Sequence, residues 1–454
     1  MSMPTQPERT LIRGASIVTM DALGDLPRGD ILVTGDSLTE IAPRIDADDA
    51  QLVDASGCIV IPGLVNAHMH TWQTALRGVA ANWSLLEYFQ KMHAGLATLF
   101  EPDDLYIATL VGAWNQINCG TTTLADWCHN NRTPAHNDAA LAGLLDAGIR
   151  AAFFHGTPKP DAQPGTTPFW ELPHPRAEVE RLLKAHQGRA RLSIHMAVLG
   201  PHYSTLEVAL HDFRMARELN LIASLHQGGG PARTPEGWHQ LEAAGLLGAN
   251  VNIVHGHALS DAQLQRFCDL GMSFSATAEC EMSQGHGHPL TGRLRQLGHA
   301  PSLGVDLESV MSGDMLSQAR IALGMQRSLD NLAYREAHGT IPPTATIPVR
   351  EALAWVTLAG ARMLGQESRI GSLAKGKQAD LLLIRASDLN MQPVHDAVSS
   401  VVLQASLANI DSVMIAGQWK KRGGQLLGVE LAPLLARLQT SGRRIAGALG
   451  LSKQ

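Results

Sequence analysis

The sequence predicts an α/β protein: a parallel (β/α)8 barrel of the TIM type, with a smaller β-domain assembled from both chain ends. Three observations predict it. Eight short apolar runs alternate with helical stretches through the middle of the chain. β-rich segments separated by turn signals occupy both ends. At 454 residues the chain is long enough for one large core plus a satellite.

The first 60 residues hold β-rich stretches at 10–19, 30–33 and 38–41, punctuated by Gly24-Asp25 and Gly35-Asp36. The apolar runs follow at 63–67, 121–125, 149–154, 191–196, 221–225, 249–254, 272–276 and 301–305. Helical patterns such as 206–219 and 261–270 lie between them. A doubly wound open sheet is the alternative, but no GxGxxG follows the first run. The nearest approach to a phosphate loop, Gly371 to Lys377, continues into Gln378 and opens no helix. β-rich segments return at 379–384, 410–415 and 417–419. The expected domains are a composite β-sandwich (1–60 with 365–430), the barrel (61–364) and an amphipathic C-terminal helical segment (431–454).

Composition narrows the function. Lys+Arg 36 against Asp+Glu 42 gives a net charge of -6, which argues against nucleic-acid binding. No run approaches 18 apolar residues and the N-terminus lacks an apolar signal core, so neither membrane insertion nor secretion is expected. Five cysteines, with no CxxC pair, fit a reduced cytoplasmic protein better than a disulfide framework or a thiolate zinc site. The 20 histidines point elsewhere, because imidazole is the commonest metal ligand.

The ends of the eight runs are unusually polar. In order they lead to His68-Met69-His70, Asp126, His155, His195 with His202, His226, His255 with His257, Glu279 with Glu281, and Asp306. Barrel enzymes place their chemistry at these C-terminal strand ends. His68 and His70 stand two apart, so in a strand both imidazoles share one face and can clamp one cation.

Ile61-Pro62-Gly63-Leu64-Val65-Asn66-Ala67-His68-Met69-His70, followed by Leu76-Arg77-Gly78, resembles the opening signature of the amidohydrolase superfamily. It is most similar to the branch of the guanine, cytosine and S-adenosylhomocysteine deaminases and the s-triazine hydrolases. Further matches are Gly120-Thr121-Thr122-Thr123 with Asp126, Gly200-Pro201-His202, Val254-His255-Gly256-His257, Ser302-Leu303-Gly304-Val305-Asp306 and Gly376-Lys377-Gln378-Ala379-Asp380. The resemblance implies one divalent metal ion on His68, His70, His226 and Asp306, with Zn2+ the expected ion and Fe2+ also suited to the donors. It implies that the ion activates a water, that Asp306 takes the water's proton, and that His255 orients the attack. His257 is a weaker candidate. Two-metal relatives use a lysine on strand four; no lysine occurs between Ala185 and Ala374, so one metal is expected. A small-molecule substrate and a homo-oligomer, a homodimer or larger, also follow from the resemblance alone.

The chain departs from its relatives in two places. The deaminases carry a Glu three residues after the strand-five histidine, where this chain has Gly229. Their Asn-Pro-x-Ser-Asn stretch after strand seven is replaced by Thr277-Ala278-Glu279-Cys280-Glu281. Glu279 and Glu281 are therefore candidates to bind a cationic substrate or to supply the missing acid. Gln73, His155 and His202 are further substrate-binding candidates, and Trp72 and Trp127 could stack a planar ring. His93, His129, His136, His211 and His239 read as surface or loop residues. The expected function is metal-dependent hydrolysis of a C–N bond in a small cyclic or heteroaromatic molecule. Amide, urea, carbamate or C–Cl hydrolysis is the alternative, and a non-catalytic scaffold a more distant one.

Overall fold

A computed structural model describes residues 8–228 and 230–450. The terminal segments form one nine-stranded mixed sheet. Its strands are β1 (Arg9–Ile17), β2 (Leu26–Thr34), β3 (Ser37–Ala42), β4 (Gln51–Asp54) and β5 (Cys58–Pro62) from the N-terminal side. A second group comes from the C-terminal side of the chain: β14 (Leu381–Arg385), β15 (Ile410–Ile415), β16 (Gln418–Arg422) and β17 (Gln425–Leu426). The order β17-β16-β15-β14-β5-β1-β2-β3, with β4 also on β1, joins the two ends through the antiparallel β5–β14 pair. Ile12, Ile17, Ile31, Val60, Leu381 and Leu383 fill its core, so the alternating patterns at the two ends are halves of one hydrophobic layer.

The eight middle runs form the second sheet in strict sequence order. They are β6 (Leu64–Met69), β7 (Thr121–Cys128), β8 (Arg150–Gly156), β9 (Leu192–Val198), β10 (Ala223–Gln227), β11 (Val251–His255), β12 (Ser273–Ala276) and β13 (Ser302–Leu303). Sequential order excludes the doubly wound alternative, whose order reverses. Strands β6, β7 and β8 are buried along their whole length, as expected where both faces are covered; this is why they read as continuous apolar runs. The expected helices appear at Leu206–Glu218 and Asp261–Asp269, the latter opened by a Ser260/Gln263 capping box. The C-terminal segment forms the helix Leu431–Gly447, whose Arg437 pairs with Asp103 and Arg444 with Asp104.

The chain divides into two compact units. One comprises the described residues up to Val65 with Gln116–Thr123 and Asp314–Val429; the other comprises Asn66–Asn115, Leu124–Gly313 and the described residues from Glu430 onward. Every residue of the site described below belongs to the second unit.

Two features of the second unit position that site. A belt of polar side chains crosses the barrel interior. Trp127 Nε1 donates to Ser224 Oγ (3.1 Å), Ser224 Oγ to Asn252 Oδ1 (2.9 Å) and Asn252 Nδ2 to Ser275 Oγ (3.0 Å); Ser275 and Ser302 hydroxyls meet at 2.9 Å. Each buried polar group is thereby matched, which pins the register of four neighbouring strands. The barrel then closes through a single parallel bridge between Met69 and Asp306, where His70 N donates to Asp306 O (2.7 Å) and Asp306 N to His68 O (3.0 Å). Gly304 makes this approach possible, because a Cβ there would lie 2.5 Å from His68 O and 2.7 Å from His68 N. Gly304→Ala should therefore push β13 off β6, lowering stability by about 1–3 kcal/mol and weakening metal retention; thermal unfolding and metal analysis of the same preparation check both.

Candidate active site

The seam carries the site. His68 and His70 end β6, Asp306 follows β13, and His226 lies on β10. One ligand atom from each of the four lies within 4.8 Å of the others, and all four residues are buried. Among the described residues no other group of three or more His, Cys, Asp or Glu side chains converges this way.

The donor chemistry fits a cation. His70 Nδ1 donates to Trp127 O (2.6 Å), which fixes the tautomer and leaves the Nε2 lone pair facing inward. His226 Nε2 and His68 Nε2 face each other at 3.2 Å, an approach that a shared positive ion makes favourable. Asp306 Oδ1 lies 3.4 Å from Nε2 of both His68 and His70 and is a buried oxygen with no hydrogen-bond partner. Burial pushes His70 down to about 3, helped by the neighbouring His68, and holds His226 well below the ordinary imidazole value, so both are neutral ligands at pH 7. Burial opposes an anion at Asp306, but the imidazoles of His68, His255 and His70 outweigh it and hold the carboxyl well below its usual range. Three imidazoles and one carboxylate suit a single divalent ion such as zinc.

A second pair adjoins the cluster. His255 Nδ1 lies 3.0 Å from Glu281 Oε1, which also accepts from Thr277 N (2.9 Å), while His255 Nε2 faces Asp306 Oδ2 at 3.9 Å. The Thr277 hydroxyl lies 3.3 Å from Asp306 Oδ2. Burial pushes the Glu281 carboxyl up to about 7 and His255 down to about 4. Near neutral pH the pair thus holds one proton on the Nδ1–Oε1 line. Both Asp306 (φ 72°) and His255 (φ 66°) sit in the left-handed backbone region, a strain of about 1–3 kcal/mol each that tertiary structure must hold in place.

The cluster opens into a cleft with about 360 Å³ of empty space, open solvent at its mouth included. His70, His226, His255 and Asp306 form its floor. Tyr88, Phe89, His93, His129, Lys159, Tyr203, Gln284 and His286 form its walls.

The Amidohydrolase family pattern matches residues 59–420. The chain belongs to the amidohydrolase family. Over 86% of its length it is 31% identical to an 8-oxoguanine deaminase from Pseudomonas aeruginosa, of which 88% is covered. It is 27% identical to a 5-methylthioadenosine/S-adenosylhomocysteine deaminase from Symbiobacterium thermophilum, over 96% of this chain and 99% of that one. Two solved structures share the fold: a zinc-bound adenosine deaminase from Xanthomonas campestris (TM-score 0.83, 23% identity, 98% and 100% covered) and an atrazine chlorohydrolase from Arthrobacter aurescens with zinc and atraton (TM-score 0.85, 20% identity, 95% and 100% covered). The protein is a hydrolytic enzyme with a metal-competent site. No helix of its described residues is long and apolar enough to cross a membrane.

The structure of this amidohydrolase brings together His68, His70, His226, His255, Glu281 and Asp306, and leaves Gln73, His155, His202 and Glu279 outside the cleft lining. Gln73 is buried between Tyr88 and Ser309: its amide donates to Tyr88 Oη (2.5 Å) and accepts from Ser309 Oγ (2.6 Å), so it holds a wall residue in place. His155 is locked between Asn137 and His174. His202 bonds Gln227. Glu279 and Glu281 do not act as a strand-end pair, because the helix Ala278–Gln284 begins there. At 3.6 residues per turn, positions two apart point to nearly opposite sides, and only Glu281 turns inward. Gly229 lies outside the described residues.

The expectation of surface histidines fails at three positions. His93, His129 and His136 are buried; His93 and His129 line the cleft, and His129 stacks on His70 with ring centroids 4.1 Å apart. His93 ends the short helical segment Phe89–His93, His129 directly follows β7, and His136 lies in the first turn of the helix Pro134–Ala147. His211 is half-buried and pairs with Asp212, while His239 is exposed. Trp72 and Trp127 are buried behind the imidazoles rather than facing the opening: Trp72 Nε1 donates to His129 Nδ1 (3.2 Å), and Trp127 meets His226 edge-on at 4.2 Å. His257 also lies outside the lining, with its ring 5.8 Å from His286.

Two outcomes follow. Protein produced with zinc should hold one equivalent, and His226→Ala should hold less than about a tenth of one; inductively coupled plasma analysis measures both. In metal-free protein, Glu281 binds its proton up to about pH 7 when folded, whereas an unfolded glutamate releases it near about 4.3. Stability from this group is therefore complete below about pH 4.3 and lost as pH rises through about 7. Glu281→Gln should flatten that decline, as read by urea denaturation at a series of pH values.

Proposed function

We propose that this amidohydrolase is a mononuclear, zinc-dependent aminohydrolase that releases ammonia or a small amine from an aminated nitrogen heterocycle. The observation that carries the reading is the buried three-histidine, one-aspartate cluster sharing a cleft with a proton-holding His255–Glu281 pair. The deaminase relatives support the same bond and the same substrate class. The lack of lysine between Ala185 and Ala374 supports one metal rather than two. The chemistry is assigned to the barrel, residues 61–364, and none to the β-domain of 1–60 and 365–430 or to the segment 431–454.

When bound by His68, His70, His226 and Asp306, the ion supplies Lewis acidity and makes a water acidic enough to attack at neutral pH. The chain's own groups manage the protons. Asp306, whose carboxyl is held well below its usual range, accepts the water's proton. The leaving nitrogen must gain a proton as the C–N bond breaks. His255 gives one from Nε2 while Glu281 restores one at Nδ1 across their 3.0 Å contact. Glu281 thereby does the work of the glutamate that the relatives carry at the position of Gly229. The orientation of His255 toward Asp306 also supports its role in aligning the attacking water. The five unpaired thiols support a reducing, cytoplasmic location. A homo-oligomer is proposed from family membership alone.

A panel of aminated purines, pyrimidines, pterins and triazines should include compounds that release ammonia with the zinc-loaded enzyme. Asp306→Asn should lower kcat by about 10²–10⁴-fold on whichever is turned over. Turnover confined to amides or chlorinated rings, without ammonia, would assign the alternative hydrolysis instead.

A further inference from the structure

One cleft residue has no duty in that scheme. Lys159 is 8% exposed, and among the described residues its ammonium makes no hydrogen bond or ion pair. It lies over three aromatic rings, with Nζ 4.9 Å from the centroid of Tyr203, 5.7 Å from Phe89 and 5.9 Å from Trp127. These faces offset part of the cost of burying the charge, but a cation–π cage does not provide a counter-ion. A second donor is similarly unmatched: Gln284 Nε2 is buried on the cleft wall without a partner, its Oε1 being taken by Cys280.

The carboxylates that could have greeted a cation are committed elsewhere. Glu281 faces His255, Glu279 lies outside the lining, and Asp306 belongs to the metal cluster. The free charge in the cleft is therefore positive, the reverse of what the paired glutamates suggested in the sequence. Burial of an unpaired ammonium is a stability cost that a ligand's negative oxygen would remove.

We propose that Lys159 determines specificity by selecting a planar, oxo-rich heterocycle that is anionic near neutral pH, with Gln284 donating to a second acceptor on the same ring. This rests on the aminohydrolase reading of the site and names its substrate class.

Urate and hypoxanthine test it. Both are oxo-purines without an amine to lose, but at pH 7 urate is an anion and hypoxanthine is neutral. Calorimetry with the zinc-loaded enzyme should show urate binding at least about tenfold tighter. Lys159→Met should erase that preference and leave hypoxanthine within about twofold, while Lys159→Arg retains most of it. Lys159→Gln, neutral and polar, is the second variant should the Met substitution not fold. Without ligand, Lys159→Met should raise Tm, because a buried unpaired charge is gone. Equal binding of the two purines, undetectable urate binding or a preference unchanged in the neutral variants would overturn the proposal. No step of this experiment requires turnover, so an enzyme that prefers urate but releases no ammonia from any panel compound would overturn the reaction assignment and leave the role of Lys159 standing.

Discussion

The functional architecture depends on the way the barrel closes. Its first and last strands meet through one bridge, and the hydrogen bonds of that bridge are made by the backbones of His68, His70 and Asp306. The residues that complete the cylinder are thus the residues whose side chains gather at its centre. A cylinder can close only where the two strands approach without bulk between them, which is why glycine stands at 304, tight against His68. Closure and ligand geometry cannot be varied independently here, and a change that loosens one loosens the other.

Around that seam the protein solves an electrostatic problem. It buries histidines and carboxylates together, where each isolated charge is expensive. Most of the imidazoles give up their charge, as burial drives His70, His129 and His226 toward the neutral form. One carboxylate, Asp306, stays ionised among them, and one, Glu281, shares a proton with His255. The polar belt from Trp127 to Ser302 lies across the same interior and is internally satisfied, so the site rests on strands whose register is pinned. The left-handed backbones of Asp306 and His255 are tolerable only on such a support. Strain, neutral imidazoles and an unmatched anionic oxygen occur together because all serve one small volume.

Substrate choice has a different origin. The ligand cluster lies on strand ends, but the walls of the cleft come from connecting segments that bring Tyr88, Phe89, Lys159, Tyr203 and His286 together. Loops can change these groups without disturbing the barrel, so relatives with one core reaction can act on different rings. Glu281 reaches the same volume from the helix Ala278–Gln284 after β12, through its 3.0 Å contact with His255.

The sequence by itself determined the strands and the His68–His70 pair, while His226 and Asp306 joined that pair only through the family resemblance. A fully buried parallel strand needs an apolar run, so each barrel strand announced itself, and two histidines two apart on such a strand must share a face. Those rules are local and survive without coordinates. Only the tertiary structure decided which of the two glutamates turns inward, because that depends on a helix starting at Ala278 rather than on an extended chain continuing. Only it revealed that His93, His129 and Lys159 are interior: His129 and Lys159 lie in loops, which have no period from which burial can be read, and the helical segment ending at His93 is five residues long, too short to show one. The sign of the charge offered to a substrate is likewise a property of the folded cleft: it is the sum over groups from distant segments, some neutralising each other and one left over, and no stretch of the chain carries that sum.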